Sequence, residues 1–357
     1  LLIGPLPPPF GGARVSFRLF YDFLFGSEAG GHITHLDLPF RKSRDKIPPG
    51  GVDHLRTSMG LLKSLRHFRR VDRVVIFGSR NFCFSYGVIL LVFCKIFRIP
   101  GRVRFFGGHP ARVLERTPYL RGLGMRSIGL AERLVVETEV AVTEFPEFLW
   151  PKIEMVHAYR LSVGSRSIQT KSHDVKFVYV GHVTITKGVP DLATAFKEVS
   201  ESASRQGKVE LHVYGAGDNE IVEQLSGVQG VHYHGRVPHE SLVAELPTYD
   251  VFVFPSGYEN EGHQGVIVEA LMIGMPVIAT NLPGPMEILT HGENSLLVEV
   301  GDTRALASAM EELVNNSELR MSLARGAEIS GRQFDSVLVL PELARAVGLS
   351  PAGTPPP

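Results

Sequence analysis

Six short apolar runs in the second half of the chain, KFVYVG, VELHVYG, GVHYHG, DVFVFPS, MPVIAT and SLLVEV, alternate with helix-like segments of ten or more residues. Each run is rich in β-branched residues and bounded by Gly, Pro or Ser, as a strand buried on both faces must be. A crossover of that length lets each strand start in the same direction as the last, so the pattern predicts a parallel sheet with helices on its faces. We place this α/β domain at residues 170–330. LLIGPL, RVVIFG, GRVRFFG and ERLVVET read the same way in the first half, and 357 residues suffice for two cores, so a second α/β domain is expected at 1–165. The polar stretch 161–174 is read as the link. SPAGTPPP, residues 350–357, has nothing to bury and is expected to be disordered.

Charge separates the halves. The whole chain balances 37 Lys/Arg against 37 Asp/Glu, yet residues 1–150 carry 22 basic side chains against 12 acidic ones. Anionic membrane surfaces and phosphate-bearing acceptors both suit a basic half, and solvated helix faces account for any single cluster equally well. Cys83 and Cys94 form no CxxC pair, which argues against a disulfide framework or zinc site and fits a reducing cytoplasm. The chain starts at LLIG with no charged and apolar leader before the first strand, and its longest apolar run, YGVILLVFC, falls short of the roughly 20 residues that span a bilayer. Neither a signal peptide nor a transmembrane helix is therefore expected.

The densest chemistry lies in EGHQGVIVEALMIGMPVIAT, residues 261–280. A helix is expected from Gln264 or Gly265 to Met272, with Gly274 as its stop. Glu261 then sits in the loop before the helix and Glu269 one to two turns inside it. An ionised carboxylate inside VIVEAL needs a partner, either a nearby Arg or the paired hydroxyls of a bound sugar. The helix start at 264–266 presents unpaired N–H groups to a phosphate, and in an open parallel sheet this loop lies where ligands bind.

This segment closely resembles the donor-binding segment of retaining glycosyltransferases of the GT-B fold, family 4 (group 1), and its EGH form is similar to members that build capsular, lipopolysaccharide or other envelope glycans. VYVGHVTITKG (178–188), HVYGAGDNE (212–220), HGRVPHESLVAELPTYDVFVFPS (234–256) and PGPMEILTHGENSLLVEVGD (283–302) follow the family's other landmarks in order. The resemblance implies two Rossmann-like doubly wound domains facing a cleft, with residues 331–349 as a helix crossing back to the first. It also implies a hexosyltransferase that takes a nucleotide sugar, UDP rather than GDP, to a glycan or lipid-linked acceptor, without a metal or other cofactor. Contact with an anionic membrane at its cytoplasmic face is expected, and nucleic acid is not.

Carried over, the resemblance gives Glu261 the donor sugar's hydroxyls and Glu269 the ribose diol, with Gly262, His263, Gln264, Gly265 and Val266 around the donor. Lys187 and His182 fall on the diphosphate; His182 stands where the family usually has Arg, and a neutral imidazole cannot replace a guanidinium's fixed fork. A packed histidine after a strand is the other reading of His182. Val237 falls where the nucleobase is held through backbone groups, or is a plain loop valine. Gly11 and Gly12, opening a helix after a Pro-rich turn, resemble the family's glycine loop, though a structural turn also fits. His109, after VRFFGG, is a candidate for the catalytic cleft or a capped loop histidine. Glu137 and Glu139 are expected to cap a helix start. Two rivals remain open: a sugar-nucleotide-binding protein without turnover, and a nucleotide-sugar epimerase of the same fold.

Overall fold

The computed structural model describes residues 1–6, 12–26, 33–37, 60, 67–114, 118–162, 174–203 and 208–349. Its residues fall into two compact units, Leu1–Tyr159 with Ser336–Pro357, and Arg160–Asp335. Gly11, residues 163–173 of the polar stretch and the 350–357 tail lie outside the described residues.

The first unit holds a parallel sheet of β1 (Leu2–Ile3), β2 (His35–Leu36), β3 (Val74–Ser79), β4 (Gly101–Phe106), β5 (Arg133–Val136) and β6 (Ile153–Met155), in the order β2-β1-β3-β4-β5-β6. The four apolar runs of the first half become β1, β3, β4 and β5. Both faces are covered. Phe82, Leu90, Leu91, Leu134 and Leu149 pack in one cluster, while Phe17, Phe20, Phe77 and Tyr159 pack in another with Leu340 and Leu343 of the helix Ser336–Ala346.

Arg80–Phe97 forms a continuous helical stretch of 18 residues, apolar enough by composition to cross a membrane. It includes a π-helical segment, Cys83–Gly87. Cys83, Leu90, Leu91 and Cys94 are buried in the first unit's core, so this face is occupied by protein. Ile89, Val92 and Ile96 are exposed on the other.

The six runs of the second half become β7 (Val175–Val180), β8 (Val209–Tyr214), β9 (Val231–Gly235), β10 (Val251–Phe254), β11 (Val277–Thr280) and β12 (Ser295–Val298). All pair in parallel, in the order β12-β11-β10-β7-β8-β9. The order reverses direction between β7 and β10, which is the switch point where a doubly wound sheet opens a crevice beyond its strand ends. Leu211 and Val213, odd-numbered residues of β8, pack with Phe196 of the helix Val189–Ala203.

The helix expected over 331–349 is shorter. Gly331 closes the helix Ser317–Gly331 and a separate one runs over Ser336–Ala346, because Asp335 is extended (φ −61°, ψ 129°) and the Arg160 N–H donates to the Phe334 carbonyl at 3.0 Å.

Gly188, which ends the turn after β7, has φ +69°, and a Cβ there would stand 1.8 Å from the Pro255 carbonyl oxygen at the end of β10. Gly188→Ala is therefore expected to lower stability by about 3 kcal/mol, from left-handed strain plus a backbone clash. Denaturant unfolding measures it, and a loss below about 1 kcal/mol would show that the two loops are not held this tightly.

Candidate functional site

Two loops meet at the switch point. After β7 the chain makes a short turn, Ile185–Lys187, and after β10 it runs from Pro255 to Gln264 before the helix Gly265–Met272. The Gly257 N–H donates to the Thr186 carbonyl at 3.0 Å, which ties one loop to the other. Lys187 Nζ pairs with Glu261 Oε1 and lies 5.1 Å from the centre of the Tyr258 ring. Ser256 Oγ donates to the same carboxylate oxygen at 2.6 Å, and Gln264 Nε2 donates to Oε2. Glu261 is thus a buried carboxylate whose lone pairs face one ammonium, one hydroxyl and one amide. Such a group is held in one orientation and can accept hydrogen bonds from a polyhydroxyl ligand.

The helix bounds match the sequence reading: Gln264 is the N-cap, Met272 the last residue, and Gly274 has φ +69°. Glu269 faces inward in the second turn, and here the partner differs from the ribose diol alone. Its Oε1 accepts from Arg160 Nε at 2.7 Å and pairs with His239 Nε2 at 2.8 Å, with the Arg160 and Glu269 side chains only 5% and 3% exposed. A protein partner therefore satisfies one oxygen, as the Arg alternative required. Oε2 is buried and accepts no hydrogen bond among the described residues. Burial pushes the Glu269 pKa up, but the His239 hydrogen bond and the Arg160 charge outweigh it and hold the carboxyl below the usual range.

Arg160 also lies over the helix start. A Cβ at Gly265 would fall 1.4 Å from Arg160 Nη2, so only glycine leaves room for the guanidinium there. Positive charge from Arg160 and the helix's first N–H groups accumulate at 264–266. Gly262 and His263 are buried beside it, with His263 Nε2 against Glu287 Oε2 at 3.0 Å, and Gln264, Gly265 and Val266 are half-buried. His182 follows β7 with an exposed side chain, yet crowding by neighbouring atoms, Lys187 and Arg236 hold its pKa below the usual value. It is neutral at pH 7. Val237 is half-buried in the turn between β9 and the helix His239–Glu245.

His109 and Gly12 belong to the first unit. Gly12 opens the helix Gly12–Phe25. His109 is buried after β4, its Nδ1 against Glu144 Oε1, while Glu144 Oε2 accepts from the Ala111 N–H at 2.9 Å. Nδ1 is engaged by that carboxylate, while Nε2 is buried and has no hydrogen-bond partner among the described residues. Glu144 also lines a surface cavity of about 510 Å³ with Arg121, Arg126, Met125, Phe145 and Phe148. Glu137 does not cap the following helix: Thr138 does, accepting from the Ala141 N–H at 3.1 Å, while Glu137 pairs with buried Arg104 at 3.2 Å. The structure thus joins Lys187, Glu261 and Gln264 in one cluster and Glu269 in a second, around Arg160 and His239. Neither of those last two stood out in the sequence, although His239 follows Pro238 at a helix start, a position that aims a side chain along the strand ends.

Arg160→Ala leaves Glu269 buried with His239 as its remaining partner, and a loss of about 3–5 kcal/mol is expected in unfolding at pH 7.5. The folded pKa of Glu269 lies below the ordinary 4.5, so its stabilisation is complete above that pH and is lost as pH falls through the folded value. In the variant this loss moves to higher pH. Stability curves that run parallel for the two proteins would remove the pair from the account.

Comparison with known proteins agrees with this arrangement. Residues 174–316 match the family described as Glycosyl transferases group 1. The capsular polysaccharide biosynthesis glycosyltransferase CapM of Staphylococcus aureus is 30% identical over 170 residues, covering 46% of this chain and 43% of that protein. The phosphatidyl-myo-inositol mannosyltransferase of Mycobacterium leprae is 34% identical over 163 residues, covering 44% and 42%. The chain spans about half the length of the curated relatives it matches. Among solved structures, Anabaena HepE in complex with UDP superposes with a TM-score of 0.69 at 16% identity, over 97% of this chain and 98% of that one. Sucrose-phosphate synthase from Thermosynechococcus elongatus gives 0.71 at 16% identity, over 96% of each. The chain has the GT-B fold, and its residues 174–316 match the group 1 glycosyl transferases.

Proposed function

We propose that the protein is a retaining glycosyltransferase that moves a sugar from a nucleoside diphosphate donor, UDP in preference to GDP, to a hydroxyl of an envelope glycan or lipid-linked acceptor. The observation that carries this reading is the meeting of Lys187 and Glu261 at the switch point, beside a helix start that Arg160 makes more positive. The donor diphosphate lies against Lys187 and the N–H groups at 264–266, and Glu261 accepts hydrogen bonds from the sugar's hydroxyls. Glu269 uses its remaining oxygen, Oε2, for the ribose diol, while Val237 holds the base through its backbone. The likeness to Anabaena HepE, solved in complex with UDP-glucose, supports uracil as the base.

In the transfer step the bond between the anomeric carbon and the diphosphate oxygen breaks. The acceptor hydroxyl oxygen bonds to that carbon from the same face, and its proton passes to the departing diphosphate. Lys187, Arg160 and the helix start stabilise the charge that develops on the leaving group. His109, held by Glu144, is the first unit's own candidate for a hydroxyl contact through Nε2. The cavity beside Glu144, with Arg121 and Arg126 next to Phe145 and Phe148, suits an acceptor that carries both phosphate and apolar groups.

Release of nucleoside diphosphate from a panel of UDP- and GDP-sugars tests the reading. Wild type is expected to release it from one donor, Glu261→Gln to lower turnover by about 10²-fold, and Glu269→Gln to weaken nucleotide binding mainly. His182→Arg is expected to retain or raise activity at pH 7.5, where the imidazole is neutral. Tight nucleotide binding with no turnover of any donor would favour a binding protein instead.

The acceptor reading places the protein on an anionic membrane surface, peripherally and from the cytoplasmic side. Ile89, Val92 and Ile96 lie along one exposed helix face, Ile96 at 64% exposure, with exposed Lys95 and Arg98 beside them. Binding to phosphatidylglycerol vesicles is expected to fall at least about tenfold in Ile96→Glu, since a charge there costs more than 1.4 kcal/mol of insertion. Equal sedimentation of the two proteins with vesicles would remove the surface from this role.

A further inference from the structure

On the face of the second sheet opposite Leu211 and Val213, β8 and β9 bring together Glu210, His212 and His232. His212 and His232 are direct cross-strand partners, and their rings stack with centroids 4.8 Å apart. One donor atom from each of the three residues lies within 4.8 Å of the others. Glu210 Oε2 is 3.7 Å from His212 Nε2, and Oε1 is 3.6 Å from His232 Nε2. These separations are close to the roughly 3.4 Å between neighbouring ligands on a tetrahedral ion with metal–ligand distances of about 2.0–2.2 Å.

His212 sharpens the case. Its Nδ1 lies 3.0 Å from His234 Nε2, and its Nε2 is buried with no hydrogen-bond partner among the described residues. If Nδ1 carries the proton and donates to His234, the lone pair of Nε2 faces a carboxylate oxygen. Two acceptors then confront each other, an arrangement that a cation between them relieves. A metal-bound imidazole usually donates its other ring N–H to an acceptor that fixes its tautomer, and His234 Nε2 is in place for that role.

We propose that Glu210, His212 and His232 bind a divalent transition-metal ion, zinc by the chemistry of the set. Two imidazole nitrogens and one carboxylate suit Zn²⁺ and disfavour the oxygen-seeking Mg²⁺ and Ca²⁺. A water completes the coordination. Lys208 Nζ, which donates to Glu210 Oε1 at 2.5 Å, must swing away, and at 74% exposure it can do so into solvent. The ligands lie within their strands, on a sheet face, whereas Lys187 and Glu261 sit in loops beyond strand ends, so the ion takes no part in sugar transfer. It clasps β9, the outermost strand of the sheet among the described residues, to β8. This proposal does not rest on the transfer reading and stands or falls separately.

Zinc alone is the probe. Equilibrium dialysis of the full chain against a zinc buffer, followed by metal analysis, is expected to give one ion per chain, with a raised melting temperature. His232→Ala, which truncates a side chain 47% exposed, is expected to weaken binding by at least about tenfold and to abolish the thermal shift while leaving the zinc-free melting temperature in place. Glu210→Gln is expected to do the same. Cobalt substitution should give the strong visible absorption of a four-coordinate ion in wild type and not in His232→Ala. Zinc bound equally by wild type and both variants, or not retained by wild type in micromolar buffer, overturns the site.

Discussion

A single buried carboxylate organises the second unit. Glu269 sits where helix packing calls for an apolar side chain, and its charge is tolerable because Arg160 and His239 converge on one oxygen. These three residues come from the segment before β7, the helix after β9 and the helix after β10. Forming the pair therefore fixes three chain segments against one another at the ligand end of the sheet. Removing Arg160 leaves a charge in a low-dielectric setting, which is far costlier than the pair's net contribution. The same arrangement explains Gly265, whose missing side chain is the space through which the guanidinium passes.

The switch point shows the same division of labour. The strands beneath are apolar and carry stability, while the polar groups sit in loops beyond their ends and are satisfied by one another. Lys187, Glu261, Ser256 and Gln264 form a closed set around one carboxylate. A ligand entering here meets groups already oriented, so little reorganisation opposes binding.

Local patterns made most of the second unit legible. Strand periodicity gave all six strands, and capping and glycine signals gave the helix from Gly265 to Met272. Glu261 and Lys187 were visible because each sits in a loop whose composition is itself a signal. Arg160 was not, since 109 residues separate it from Glu269 and nothing in HAYRLS marks it as a core cation. The Glu210 cluster needs the register of two strands, which periodicity does not supply. In the first unit, β2 and β6 have two and three residues, too few to show a period. The break near residue 335 arises from a backbone pairing with Arg160, a contact no local window contains.

That pairing bears on the order in which the chain can mature. Arg160 and Asp335, the first and last residues of the second unit, are bridged to each other, so this unit is a closed excursion within the chain. Everything it needs has been synthesised once residue 335 emerges. The first unit is different: Leu340, Leu343 and Ala344 fill the core around Phe17 and Phe20. A ribosome releases those residues only after the whole second unit. Until then the helix Gly12–Phe25 lies on that face of the first sheet without the neighbour that completes its packing.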